Sequence, residues 1–190
     1  MVQPTTVRAW DPVVCSIYWV LVAAFAVTYA SADHWMQIHM IAGYVVVGLV
    51  LLRMLWGLIG PRYARLTGFT YSPVRMWDYL KQLVLLQKPR YLGHNPVGGL
   101  MVLALLVSLV LTGVSGVLQY DATYGSSALS QWMATPSWNP YEALDESHEA
   151  LANWTVFLLL LHFAGIALDT ILHGENPVRV LFTGKQSEMR

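Results

Sequence analysis

The sequence predicts an all-α integral membrane protein, a four-helix bundle with both termini cytoplasmic. Three observations carry that prediction. Hydrophobic residues make up 56% of the 190 residues and charged residues only 12%, about half the charge of a soluble domain. Four apolar stretches are long enough to cross a bilayer core of about 30 Å, which takes about 20 helical residues. All eleven Lys and Arg residues fall on one side of those stretches. The same composition excludes a disordered chain and a basic nucleic-acid binder, so membrane lipid and no nucleic acid is the expected company. A single cysteine, Cys15, excludes a disulfide framework and thiolate zinc or iron–sulfur sites. Eight Trp and ten Tyr suit interfacial aromatic belts.

The spans follow in order. The first runs from about Val13 to Ala30. It lacks the basic run and small-residue cleavage site of a removable signal peptide. The second runs from about Ile38 to Ile59 and contains one charge, Arg53. The third, about Val97 to Leu118, has no charge. The fourth, about Leu151 to Leu172, holds His162 and, near its end, Asp169. All four should be helices, because open strands leave backbone groups unsatisfied in lipid. The chain reads as one domain over residues 1–190.

Orientation follows from the cations. Arg8, the Arg62–Arg90 connection and the tail with Arg179, Lys185 and Arg190 carry them, with Arg53 at the inner end of span two. The connections Ser31–Gln37 and Gln119–Ala150 carry none, and hold Asp33, Asp121, Glu142, Asp145, Glu146 and Glu149. Positive charge stays inside, so the acidic loops face outward. Within the inner connection, Pro73–Gln87 reads as a short interfacial helix. Met76, Leu80, Leu83 and Val84 recur there at helical spacing, flanked by Arg75, Lys81 and Lys88.

The histidines carry the chemistry. His148 and His162 are 14 residues apart, roughly 21 Å along a helix and within roughly 40° of one face. His39 sits near the outer end of span two, at the membrane level of His148. Two imidazoles from different helices at one depth can clamp a haem iron axially, with the bundle interior as its apolar walls. Gly43, Gly99, Gly113 and Gly116 would let a flat macrocycle approach the backbone. The competing reading makes such histidines interhelical hydrogen-bond donors or proton relays. His34 reads as a solvated loop residue and His173 as an interfacial one. Arg53 lies roughly 21 Å inward of His39. It either snorkels to the inner headgroups or serves as counter-charge to a haem propionate.

These residues resemble the bacterial cytochrome b561 family, which includes the b-type cytochrome subunits of nickel–iron hydrogenases and related oxidoreductases. Ser147-His148-Glu149-Ala150-Leu151-Ala152-Asn153 followed by His162 is similar to the family's fourth-helix signature. Ile38-His39-Met40-Ile41-Ala42-Gly43-Tyr44 and Arg53-Met54-Leu55-Trp56-Gly57 resemble its second helix. Gly93-His94-Asn95-Pro96-Val97-Gly98-Gly99 resembles the start of its third. Glu175-Asn176-Pro177-Val178-Arg179 and Phe182-Thr183-Gly184-Lys185 resemble its tail. The resemblance spans the whole chain. It implies a bacterial inner-membrane, multi-pass cytochrome with two b-type haems stacked across the membrane. His39 and His148 would ligate the outer haem, and His162 with a first-helix histidine the inner one.

The first helix departs from that pattern. Trp10-Asp11-Pro12-Val13-Val14 and Trp19 match, but the ligand position is Tyr18. A neutral phenol, with a pKa near 10, is a poor ligand for ferrous iron, although phenolate binds ferric haem. Cys15, His94, a five-coordinate haem on His162, or no inner haem remain as alternatives. The expectation is one firmly ligated outer haem b, with the inner site vacant or unusually ligated.

The resemblance further implies electron transfer between the quinone pool and a redox partner such as a hydrogenase, a reductase or a c-type cytochrome. His94, Asn95 and Asp169 offer polar groups to a quinone near the inner side. Asn95 before Pro96 is equally a helix cap. The outer acids suit a basic partner, or simply obey the charge rule for membrane loops. Two other functions stay open. One is a non-catalytic, haem-stabilised anchor or assembly subunit of a larger membrane complex. The other is a stand-alone superoxide/quinone oxidoreductase, which acidic outer loops disfavour by repelling an anion. A haem-free transporter would leave the matched histidine depths unexplained.

Overall fold

A computed structural model describes residues 5–8, 11–61, 65–66, 72–84, 96–125, 130–131, 140–173 and 185–188. Four of its helices are long and apolar enough to cross a membrane. Helix α1 spans Pro12–Ser31 and α2 spans Met36–Ile59. A shorter helix, α3, spans Pro73–Val84. Helix α4 spans Pro96–Tyr124 and α5 spans Pro140–His173. Strands β1 (Thr5–Arg8) and β2 (Lys185–Glu188) pair antiparallel, Thr5 opposite Glu188 and Arg8 opposite Lys185. That ribbon joins a segment before α1 to one after α5.

Local chemistry sets the helix ends. The Asp11 carboxylate caps α1, accepting from Val13 N at 2.7 Å and Val14 N at 3.3 Å. Pro12 follows at the first helical position, where its missing N–H costs nothing. Helix α2 stops at Gly60, whose N–H reaches Trp56 O at 2.8 Å, and Pro61 follows. A side chain at Gly60 would lie 2.4 Å from that same carbonyl. Ser72 accepts from Arg75 N at 3.4 Å at the head of α3.

Two helices outrun the expected spans. At 29 and 34 residues, α4 and α5 are roughly 44 and 51 Å long, longer than a bilayer core of about 30 Å. They absorb much of the acidic outer connection into their ends. Glu142 falls in the first turn of α5, where the helix dipole favours negative charge. Trp132 and Trp138 lie outside the described residues. Helix α3 coincides with the expected helix over Pro73–Val84, and residues 85–87 of that expectation lie outside the described residues. Met76 is half-buried, Tyr79 is buried, and Val74 and Trp77 are exposed, with Lys81 Nζ 5.6 Å above the Trp77 ring. The side chains of Leu80, Leu83 and Val84 lie outside the description.

The bundle is two tight helical hairpins set side by side. Helix α1 packs on α2, α4 packs on α5, and α2 bridges to α4. The core holds Leu21 and Phe25, Val46 and Val50, and Val102, Leu106 and Leu109. Hydroxyls join the second hairpin, with Ser108 Oγ 2.7 Å and Thr112 Oγ1 3.2 Å from Thr155 Oγ1. Such bonds between helices act as glue where hydrophobic driving force is absent. At the hairpin junction Gly113 faces Val47, and a Cβ there would come within 2.7 Å of Val47 Cγ2. Large apolar side chains such as Leu51, Leu58, Leu160 and Ile171 point outward, as a lipid-facing surface requires.

Gly113→Val should force the two hairpins apart and destabilise the bundle by about 1–3 kcal/mol. Thermal unfolding in detergent measures this, and Val47→Ala in the same chain should restore part of the loss.

Candidate functional site

His39 and His148 meet across the two hairpins. His39 lies in the first turn of α2, and its Nδ1 is 2.8 Å from Thr28 O on α1. His148 lies on α5, and its Nδ1 is 3.1 Å from Thr112 O and 3.0 Å from Ser115 Oγ, both on α4. A carbonyl only accepts, so each Nδ1 carries the proton. Each Nε2 then keeps its lone pair for a metal, the tautomer that ligating histidines use.

The ring centroids are 6.1 Å apart and the planes 85° apart. Two imidazoles on opposite faces of one iron, at metal–nitrogen distances of about 2 Å, place their centres roughly 6 Å apart. The donor set therefore fits an axial bis-imidazole pair. No group of three or more His, Cys, Asp or Glu poised for a metal ion occurs among the described residues, and a haem asks the chain for only two ligands.

Gly116 shapes this end of the bundle. A Cβ there would approach His148 Cε1 to 2.8 Å, so only glycine lets the imidazole lie against α4. Gly43 is less constrained, its nearest foreign atom being Thr28 Cγ2 at 3.8 Å from an added Cβ. Nearby, Tyr29 Oη donates to Asn153 Oδ1 at 2.8 Å and ties α1 to α5. Gln119 donates to Asp145 further out.

The inner half is arranged differently. Arg53 is fully buried and donates from Nε to Tyr18 Oη at 3.3 Å, with its guanidinium 5.6 Å from the Tyr18 ring centre. The structure thus joins the position that replaces the expected histidine to the one charge of the second span. Burial removes the snorkelling reading of Arg53, because a snorkelling guanidinium ends in water. His162 is half-buried on α5, beside Phe163. Among the described residues, no hydrogen bond or ring contact joins His162 to Tyr18. Cys15 is buried on α1, and Asp169 is half-buried near the inner end of α5. His34 is exposed in the turn between α1 and α2. His94 and Asn95 lie outside the described residues, as does the side chain of His173.

Sequence reasoning missed Thr28, Thr112 and the hydroxyl of Ser115, which orient the histidines. Their signal is a Thr-x-x-Ser step that recurs in two apolar helices, as Thr28-Tyr29-Ala30-Ser31 and Thr112-Gly113-Val114-Ser115.

In comparisons with known proteins, residues 9–184 match the family described as prokaryotic cytochrome b561. No curated protein and no solved structure matches the chain significantly.

Tyr18→Phe should remove the acceptor that faces Arg53 and cost about 1.5–3 kcal/mol, the range for a hydrogen bond to a charged group. Thermal unfolding of the purified variant checks it, and a melting curve like that of the parent would refute it.

Proposed function

The chain belongs to the prokaryotic cytochrome b561 family, and from that premise we propose how this membrane b-type electron-transfer cytochrome is organised. His39 and His148 would hold a haem b between the two hairpins, near the outer face. The observation that carries this reading is the pair of Nδ1–H bonds to helix carbonyls, which leaves both Nε2 atoms free. The group they would hold supplies one-electron transfer between ferric and ferrous iron.

The protein's own part is orientation and exclusion of water. Thr28 and Thr112 fix the imidazole rings through their carbonyls. Gly116 leaves room for His148, and the apolar core below keeps the site dry. The chain is one domain in the bacterial inner membrane, with both termini and the Arg62–Arg90 connection cytoplasmic, as its charge asymmetry supports.

The electrons come from or go to the quinone pool. A quinol releases two electrons and two protons on oxidation, and a haem takes the electrons singly. The partner on the outer side is a redox protein with a basic docking face, such as a c-type cytochrome or the electron-transfer face of a hydrogenase or reductase. Glu142, Asp145, Glu146 and Glu149 support this, all exposed on the outer end of α5, where charge complementarity would steer association.

At the inner site, Tyr18 is engaged by Arg53, which favours a single haem. The same observation supports a second reading, a haem-stabilised anchor subunit that passes no electrons across the membrane.

The haem-to-protein ratio of the purified protein should be near one. His39→Ala and His148→Ala should each abolish it, whereas His162→Ala should retain it. Loss in His162→Ala with retention in the other two would overturn the outer-site assignment. Reduction by a quinol analogue separates carrier from anchor. A carrier is reduced within the time of mixing, and an anchor stays oxidised.

A further inference from the structure

The two histidines sit in seats of the same design. On α1, Thr28 Oγ1 donates to Ala24 O at 2.8 Å, and Ser31 Oγ donates to Thr28 O at 3.1 Å. On α4, Thr112 Oγ1 donates to Ser108 O at 2.9 Å, and Ser115 Oγ donates to Thr112 O at 2.9 Å. In both, the threonine carbonyl also takes the Nδ1–H of a histidine on the next helix of the hairpin. One feature differs. Ser115 Oγ stands 3.0 Å from His148 Nδ1, whereas Ser31 Oγ turns to Val27 O at 2.7 Å.

We propose that Thr28–Ser31 and Thr112–Ser115 are matched positioning seats for the two axial histidines, and that Ser115 makes His148 the more strongly polarised ligand of the pair. The proposal rests on the haem reading above. An imidazole whose Nδ1–H meets more acceptors is a more basic ligand, and it stabilises ferric over ferrous iron. Ser115 adds such an acceptor at His148. Both serines donate to the carbonyl that their histidine needs and weaken it as an acceptor. Ser115 more than offsets this by accepting at Nδ1 itself, whereas Ser31 offers His39 no such contact. The two serines therefore push the potential in opposite directions. Each ring is also pinned in rotation, so the 85° between the planes is a property of the seats.

The test uses the full-length protein purified with its haem, by redox titration, electron paramagnetic resonance of the ferric state and haem content. Ser115→Ala should raise the midpoint potential, shift the ferric resonance and weaken haem retention by about 10–100-fold, the usual cost of losing a partner that orients a metal ligand. Ser115→Thr keeps a hydroxyl and should stay near the parent. Ser31→Ala should lower the potential. An unchanged potential and resonance in Ser115→Ala, or shifts of one sign in both alanine variants, would overturn the proposal. Should Ser115→Ala not fold, Ser31→Ala decides alone, and an unchanged or raised potential sinks it. Full haem retention in both His39→Ala and His148→Ala is a separate failure, which removes the ligand assignment itself.

Discussion

A half-buried imidazole between membrane helices has one N–H to satisfy and little water to satisfy it with. Here the acceptors are the carbonyls of Thr28 and Thr112, which already serve their own helices and offer a second lone pair. Once those bonds form, ring orientation, tautomer and the direction of the free Nε2 are settled together. The separation of the rings follows from the helices that carry them, and the helices from the fit of Gly113 against Val47 and Gly116 against His148. The geometry of the outer site is thus a consequence of satisfying two N–H groups inside a tightly packed bundle.

The inner half obeys the same rule with other groups. Arg53 carries a charge with no water nearby, and Tyr18 Oη gives it an oxygen to donate to. A histidine at position 18 would have one ring nitrogen for a metal and one for a partner. The phenol has a single oxygen, and Arg53 points at it. That is the physical content of the Tyr-for-His departure. The two halves of one bundle share an architecture and differ in what their buried polar groups are able to hold.

Much of this was legible in the sequence. Hydropathy located the four spans, because it reflects the bilayer as solvent. The shared depth of His39 and His148 was read from their places in the spans, and the common face of His148 and His162 from helical geometry. Other features were hidden for identifiable reasons. The outward extension of α4 and α5 escaped because hydropathy reports the apolar core of a membrane helix and is silent on polar turns that continue it. Thr28 and Thr112 escaped because they act through backbone carbonyls, which every residue has. Ser115 escaped because a serine in a membrane helix is commonly satisfied by its own backbone. The Tyr18–Arg53 contact joins residues 35 apart, and spacing along two separate helices does not fix their mutual rotation. The β1–β2 ribbon left no trace in the hydrophobic pattern, its strands being four residues each.

That ribbon bears on the order of folding. It pairs segments that lie on either side of all four long helices, so it cannot form before the last of them has been made. Closing so long a loop costs chain entropy, and the packing of the hairpins between the two strands lowers that cost. The pairing of Thr5–Arg8 with Lys185–Glu188 is then a late event, one that reports a bundle already assembled.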